Sequence, residues 1–458
     1  MRGASRAGDS MARVHRIRRH GRRMFAAWLL LYTLVVILPL PLGLIDLAPG
    51  RGFWVNFSVA LGFVGLSMFG LQFVMAARSS MVTQPVGMDL VLGAHRKLAF
   101  VATLFVFAHP IILFVVDARF LPLLDVTSSP LRAKFAVASL LLLVVLIVLS
   151  VFRQRFRMSY AVWQATHAIL AVAVVVTALA HVLLVDYYVQ QWWERVLWIV
   201  LSAAFIALGV WVRIVKPIIR RRRRFVVESI EHEGGDVTTV TIRPADPPAW
   251  GSRPFRFEAG QFAWLQARRS PFDLTYHPFS FASSAERPDR ITFAIKAHER
   301  FTRDVADLMP GDSVYLDGPF GAFTLPESGP IVGIAAGVGV TPLLSMLETV
   351  ADRGDDRPCV LWLGNRDETS IATRARLDAL ADRMDLRVVH VLSRPSATWT
   401  GEVGHVDGAF VAANVATVPA GATFCICGPD RMMDEVEHAL AQAGIAHDTI
   451  NSERFGMV

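Results

Sequence analysis

Residues 95–109 read HRKLAFVATLFVFAH, and residues 167–181 read HAILAVAVVVTALAH. Each stretch begins and ends on histidine, so each sets two imidazoles fourteen residues apart inside an apolar run. At about 3.6 residues per helical turn, that spacing is nearly four turns, and both histidines of a stretch face the same way. At about 1.5 Å per residue they stand ~21 Å apart along the axis. A hydrocarbon core is about 30 Å thick, so one histidine of each stretch falls in each leaflet.

Six apolar segments around these stretches are long enough to cross a bilayer: approximately 25–47, 53–77, 91–116, 133–152, 160–185 and 194–216. His95 and His109 lie on the third, His167 and His181 on the fifth. The loops set the orientation. Arg78 opens the 78–90 loop, and Arg153, Arg155 and Arg157 fill the 153–159 loop, on the same side as both basic clusters of the chain. The opposite loops carry Asp46, Asp117, Asp125, Asp186 and Glu194. Arginine-rich loops stay inside, so both termini are expected in the cytoplasm of a bacterial-type plasma membrane.

With spans three and five running outward together, His95 is level with His167 near the inside, and His109 with His181 near the outside. Each level offers two facing imidazoles, the ligand set of a bis-histidine haem. Ionisable residues inside a span are costly and usually functional. Chance polar contacts between helices would not repeat one spacing at matching depth. A histidine-lined metal transporter is the weaker reading, because no carboxylate, thiolate or i, i+4 partner completes a metal site.

Composition agrees with a membrane protein: 53% of the 458 residues are hydrophobic, concentrated in the first half. Net charge is +7, and the arginines cluster at 13–23, before the first apolar run, and at 220–224, after the last. Both positions are membrane boundaries, so anionic lipid is the expected partner rather than nucleic acid. The first run is too long for the core of a signal peptide and carries no A-x-A site, so it reads as a retained span. Cys359, Cys425 and Cys427 form neither a disulfide framework nor a zinc pattern and read as buried, reduced thiols.

The second half reads as a soluble α/β protein. Phe225–Ile230 and Val237–Ile242 alternate around Gly234-Gly235, a hairpin that opens an antiparallel barrel. His277-Pro278-Phe279-Ser280 starts a strand. Arg300-Phe301-Thr302 leads into a helix whose N-terminus suits a phosphate. Strands and helices then alternate. Strand 331–335 runs into Gly337-Val338-Gly339-Val340-Thr341-Pro342 and a helix, the strand–glycine turn–helix arrangement that receives a pyrophosphate. Arg366 and Arg394 close two further strands and suit a 2′-phosphate, which favours NADPH over NADH. Cys427-Gly428-Pro429 closes the last long strand.

These motifs, in this order over roughly residues 25–458, resemble the ferric reductase and NADPH oxidase superfamily. The resemblance implies a multidomain membrane protein: a basic N-terminus (1–24), a six-helix transmembrane haem bundle (25–219), an antiparallel β-barrel FAD domain (225–327) and a Rossmann-like α/β NADPH domain (330–458). It implies flavin binding by His277, Pro278, Phe279 and Ser280, with the Ser280 hydroxyl near the ring. It places the FAD pyrophosphate at Arg300, Phe301 and Thr302. It implies nicotinamide-nucleotide binding at Gly337, Val338, Gly339, Thr341, Pro342, Cys427, Gly428 and Pro429. Glu453-Arg454-Phe455 is similar to the terminal segment whose aromatic ring stacks on flavin, although three residues follow Phe455 here.

Flavin can take a hydride from NADPH and hand on single electrons, so FAD belongs between NADPH and two b haems. The expected route runs from NADPH through FAD to the His95/His167 site, then the His109/His181 site, and out to a small acceptor. Short outer loops suit molecular oxygen or an Fe(III) chelate, with a slight lean to oxygen, which needs no shaped site. A subunit that reduces a partner protein is the alternative of another class, although no obligatory partner is evident.

Overall fold

The computed structural model describes residues 26–42, 51–77, 88–221, 224–245, 254–267, 277–296, 305 and 308–454. The expectations placed on Arg78, Arg300, Phe301, Thr302 and Phe455 lie outside them. The chain divides into two compact units, the second comprising mainly Ile218–Val458.

The first unit is helical. Among the described residues, five helices are long and apolar enough to cross a membrane: α2 (Phe53–Ala76), α3 (Met88–Val116), α4 (Leu131–Val151), α5 (Tyr160–Val185) and α6 (Trp192–Arg221). They are preceded by the shorter apolar helix α1, Ala26–Leu42. The sequence predicts a full-length first span over 25–47; within the described residues its helix is shorter than the other five and is interrupted by a turn at Leu38.

Local chemistry sets the ends of these helices. The Ser159 hydroxyl accepts from Val162 N–H at 3.3 Å and starts α5. Gln191 and Glu194 form a reciprocal capping box at the start of α6. Asp186, at positive φ, ends α5 and pairs with Arg195. The loop between α3 and α4 is tied by a 3-10 turn, Ala118–Leu124. Side chains such as Leu104, Leu141 and Ile169 stand more than half exposed along the helices, as expected of surfaces that face lipid tails. Inward, Met68, Leu71, Ala102 and Phe205 pack together. Helix α2 carries glycine where neighbours come closest: a Cβ on Gly70 would sit 2.0 Å from the Phe205 ring.

The second unit has two layers of different character. Strands β1 (Phe225–Glu233), β2 (Val237–Pro244), β3 (Phe262–Ala267), β4 (His277–Ser280), β5 (Ile291–Lys296) and β6 (Ser313–Phe320) form an antiparallel sheet in the order β4-β3-β6-β1-β2-β5. Phe281 bridges to Phe293, so the two edges meet and the sheet closes into a barrel. Phe257, Phe281 and Phe293 fill its interior. Arg220, in the basic cluster that precedes β1, pairs with Asp317 of β6 at 2.7 Å, with both side chains mostly buried.

Strands β7 (Ile331–Ala336), β8 (Cys359–Asn365), β9 (Leu386–Leu392), β10 (Glu402–Val403), β11 (Thr423–Cys427) and β12 (Ile450–Ser452) form a parallel sheet in the order β10-β9-β8-β7-β11-β12. Strand β7 shows why both faces are covered. Ile331 and Ala335 pack under helices α7 (Val340–Asp352) and α8 (Arg374–Ala381). Val332 and Ile334 pack under α9 (Gly408–Asn414) and α10 (Asp430–Gln442). The chain winds outward from β7 to β10, then returns to β11 on the other side of β7. Ligands of such sheets bind outside the strand C-termini where the winding reverses, here between β7 and β11.

Candidate functional site

In the helical unit, the rings of His109 and His181 stand with centroids 6.5 Å apart and planes tilted by 54°. Metal–imidazole bonds of about 2 Å put the centroids of two rings on opposite sides of one ion roughly 6–6.5 Å apart. The observed pair therefore fits a shared iron. His109 Nδ1 lies 3.0 Å from the Ser58 carbonyl and 2.9 Å from its hydroxyl, which itself donates to the His109 carbonyl at 2.7 Å. Facing a carbonyl, Nδ1 must carry the proton, and Nε2 keeps its lone pair. His181 follows the same logic, with Nδ1 donating to the Arg132 carbonyl at 2.9 Å. Two imidazoles with no third His, Cys, Asp or Glu ligand beside them among the described residues suit an iron whose other ligands come from a porphyrin.

The second pair, His95 and His167, lies within electrostatic reach of one another. His167 Nδ1 donates to Ser150 Oγ at 3.0 Å, because that hydroxyl already gives its proton to Leu146 O at 2.7 Å. His95 has the Gln72 main chain beside it, but its buried Nδ1 makes no hydrogen bond of ordinary length among the described residues. Ser58, Ser150 and Arg132 carry no sequence signal, since they reach the histidines from other helices.

In the other unit, one cavity of about 1230 Å³ lies between the barrel and the parallel sheet. It is larger than a single small-molecule pocket of about 300–1,000 Å³. One wall is His277, Pro278, Phe279 and Ser280; the opposite wall is the turn Gly337 to Pro342 with Cys427, Gly428 and Pro429. Strand pairing explains the first wall: β4 runs antiparallel to β3, with Ser280 opposite Phe262.

The second wall is built by two strand–turn–helix units whose helix N-termini, those of α7 and α10, open at the cavity. Both present the positive ends of helix dipoles to an anion. Gly337 has φ of 54°, and Thr341 Oγ1 caps the turn by donating to Val338 O at 2.7 Å. A Cβ on Gly339 would lie 2.4 Å from the Cys427 carbonyl, so only glycine lets the two turns touch.

Among the described residues, two arginines line the cavity, Arg366 and Arg431. Arg394 differs from the expectation: its N–H bonds Arg366 O at 2.7 Å, while its side chain is exposed and outside the cavity wall. Arg431 follows the Cys427-Gly428-Pro429 turn on the first turn of α10 and pairs with Glu435 at 2.9 Å. Glu453 is buried against Gly321, and burial together with this carboxylate pushes the Cys427 thiol up. Cys359 and Cys425 are likewise pushed up to about 12 by burial. None of the three is a thiolate near neutral pH, which suits core roles better than nucleophilic ones.

The barrel and the parallel sheet are held across the cavity's base. Ser345 Oγ donates to Ser283 O at 2.7 Å, Ser284 N–H donates to Glu348 at 3.1 Å, and Ala285 N–H donates to Thr349 Oγ1 at 2.9 Å. Arg376 pairs with Glu348 and reaches the Ala282 carbonyl. Helix α7 thus faces the cavity with its first turn and grips the barrel with its second half.

Residues 61–178 match the family of ferric reductase like transmembrane components, 228–323 an FAD-binding domain, and 334–438 an oxidoreductase NAD-binding domain. Ferredoxin–NADP reductase B of Sorangium cellulosum is 30% identical, covering 49% of this chain and 99% of its own. The reductase component of propane 2-monooxygenase from Mycolicibacterium smegmatis is 28% identical over 46% of this chain and 61% of its own. The flavohemoprotein of Bacillus subtilis is 25% identical over 51% of this chain and 59% of its own. The chain spans about three fifths of the length of these last two relatives.

Proposed function

Because the chain belongs to the ferric reductase and NADPH oxidase superfamily, with a ferredoxin-reductase-like FAD and NAD(P) module, we propose that it is an integral membrane oxidoreductase carrying electrons from NADPH to an acceptor across the bilayer. The observation that carries this reading is the His109–His181 pair, whose 6.5 Å ring separation and carbonyl-bound Nδ1 atoms suit a bis-histidine iron. When bound, FAD would take two electrons as a hydride and the haem irons would pass single electrons.

The residues have separable tasks in this reading. His95 with His167, and His109 with His181, hold two b haems at two depths. His277, Pro278, Phe279 and Ser280 hold the flavin, with Arg300, Phe301, Thr302 and Phe455 assigned to it from sequence. The turn Gly337 to Pro342 cradles the NADPH pyrophosphate, and Cys427, Gly428 and Pro429 border the nicotinamide. Arg366 supplies charge for a 2′-phosphate. The helix α1 serves as a sixth span, and the arginine-rich loops put both termini and the nucleotide module in the cytoplasm. The acceptor outside is molecular oxygen, giving superoxide, or an Fe(III) chelate.

NADPH-driven turnover of the purified protein tests this. Superoxide-dismutase-sensitive cytochrome c reduction identifies the oxidase, and Fe(III)-chelate reduction the ferric reductase. Haem reduction without either turnover would point to a partner protein as acceptor.

A further inference from the structure

Arg431 and Glu435 stand one turn apart on α10, and both line the cavity between the barrel and the parallel sheet. Arg431 Nε donates to Glu435 Oε1 at 2.9 Å. The two terminal NH2 groups of Arg431 make no hydrogen bond among the described residues, and its side chain is 92% exposed. The other acidic side chains of α10 point elsewhere. Asp430, Asp434 and Glu437 all reach Arg454, at 4.0, 2.7 and 3.3 Å. Of the charged side chains on α10, only the Arg431–Glu435 pair therefore lines the cavity.

Charge matching gives this pair a task. Strand β7 runs into the turn Gly337 to Pro342, with β8 on one side of it and β11 on the other. Arg366 follows β8 and Arg431 follows β11, so the two cations flank the turn from opposite sides. The third cation of the lining, Lys296, belongs to the barrel wall. A dinucleotide's pyrophosphate carries about two negative charges, and each helix N-terminus offers roughly half a positive charge. The N-termini of α7 and α10 together leave about one charge unbalanced. One guanidinium on the β11 side balances it, and its free NH2 groups suit phosphate oxygens in a two-pronged geometry. Arg366, on the other side, is left for the 2′-phosphate. Among the other carboxylates of the lining, Asp236 belongs to the barrel hairpin, while Asp367 and Asp407 accept from Ser370 N–H at 2.9 Å and Phe410 N–H at 3.0 Å. The Glu435 carboxylate has Arg431 as its partner.

We propose, on the reading that a nicotinamide nucleotide occupies this cavity, that Arg431 binds its pyrophosphate and that Glu435 competes with the phosphates for the guanidinium and so sets the affinity. An exposed pair at i, i+4 is weak, so a phosphate displaces Glu435 at small cost. The pair keeps the arginine ordered beside the turn without locking it there. Arg431 then serves NADPH and NADH alike, and the choice between them stays with Arg366.

Isothermal titration calorimetry of the purified full chain with NADP+, NAD+, ADP-ribose and 2′-AMP tests this. The first three ligands carry the pyrophosphate; 2′-AMP carries only the 2′-phosphate. In Arg431→Ala the Kd for NADP+, NAD+ and ADP-ribose is expected to rise by one common factor, roughly tenfold, while that for 2′-AMP stays. In Glu435→Gln the Kd for the same three ligands is expected to fall about twofold. That gain should disappear in Arg431→Ala/Glu435→Gln, because the carboxylate acts only through the arginine. Should Arg431→Ala lose its flavin, Arg431→Lys carries the test, with the same ligand pattern at a smaller factor. A loss in Arg431→Ala confined to NADP+ and 2′-AMP, or unchanged affinity for all four ligands, overturns the role of Arg431. A gain from Glu435→Gln that persists without Arg431 overturns the competition, leaving plain charge repulsion. A wild-type chain that binds none of the four ligands overturns the nucleotide reading itself, and the role of Arg431 with it.

Discussion

The imidazoles of His109 and His181, carried on different helices, stand with ring centroids 6.5 Å apart, and each has its far nitrogen anchored to a carbonyl of a third or fourth helix. If the two rings hold one haem iron, replacing either removes one of its two imidazoles. His109→Ala and His181→Ala should therefore lose the same haem, and His95→Ala and His167→Ala the other. Pyridine haemochrome assay should show haem content falling by about half in each single variant, with no further loss in His109→Ala/His181→Ala. Loss of only one haem in the within-helix double variant His95→Ala/His109→Ala, with loss of both in His109→Ala/His181→Ala, would refute the cross-helix pairing.

Gly337 and Gly339 should respond differently to alanine. Nothing lies within 4 Å of a Cβ on Gly337, so Gly337→Ala bears only the cost of left-handed backbone, about 1–2 kcal/mol. Gly339→Ala drives a methyl into the Cys427 carbonyl, and the turns must separate. Overpacking of this kind costs about 1–3 kcal/mol or more. NADPH-dependent flavin reduction should survive in the first variant, with weaker binding, and largely vanish in the second.

Arg366 lines the cavity and Arg394 does not. If Arg366 meets the 2′-phosphate, Arg366→Ala should raise KM for NADPH roughly tenfold, the effect of about 1.4 kcal/mol, while KM for NADH barely changes. Arg394→Ala should behave as wild type with both. Equal losses for the two nucleotides in Arg366→Ala would show that this arginine shapes the wall rather than reading the phosphate.

The thiols make a pH prediction. Burial raises Cys359 and Cys425 to about 12, well above an unfolded thiol of about 8.5. The folded state thus disfavours the thiolate. The stability this contributes is fully present below pH ~8.5 and declines as pH rises through the window up to about 12. Thermal denaturation midpoints should be flat in this respect from neutral pH to about 8.5 and then fall, and iodoacetamide should label none of the three before unfolding. Rapid labelling of the native chain at pH 8 would contradict the burial.

Which parts of this were legible in the sequence depends on the range of the interactions. Helical facing of His95 with His109, and of His167 with His181, follows from chain-local periodicity, as do the strand of residues 331–335 and the glycine turn after it. The closure of the barrel through Phe281 and Phe293 had only punctuation by proline and glycine to announce it. The partners Ser58, Ser150 and Arg132 were not legible, because helix docking in an apolar bundle depends on side-chain fit across distant segments and leaves no period. In the sequence Glu453 stands out only as part of a terminal motif. Its burial beside Cys427 comes from the β11–β12 pairing, which aligns Ile426 with Ser452.

The most direct measurement of the central claim is the haem-to-protein ratio of the purified full chain, with its reduced-minus-oxidised absorbance spectrum. Two b-type haems per chain are expected, both low-spin, as two imidazoles per iron require. One haem or none, or a high-spin spectrum with an open axial position, would contradict it.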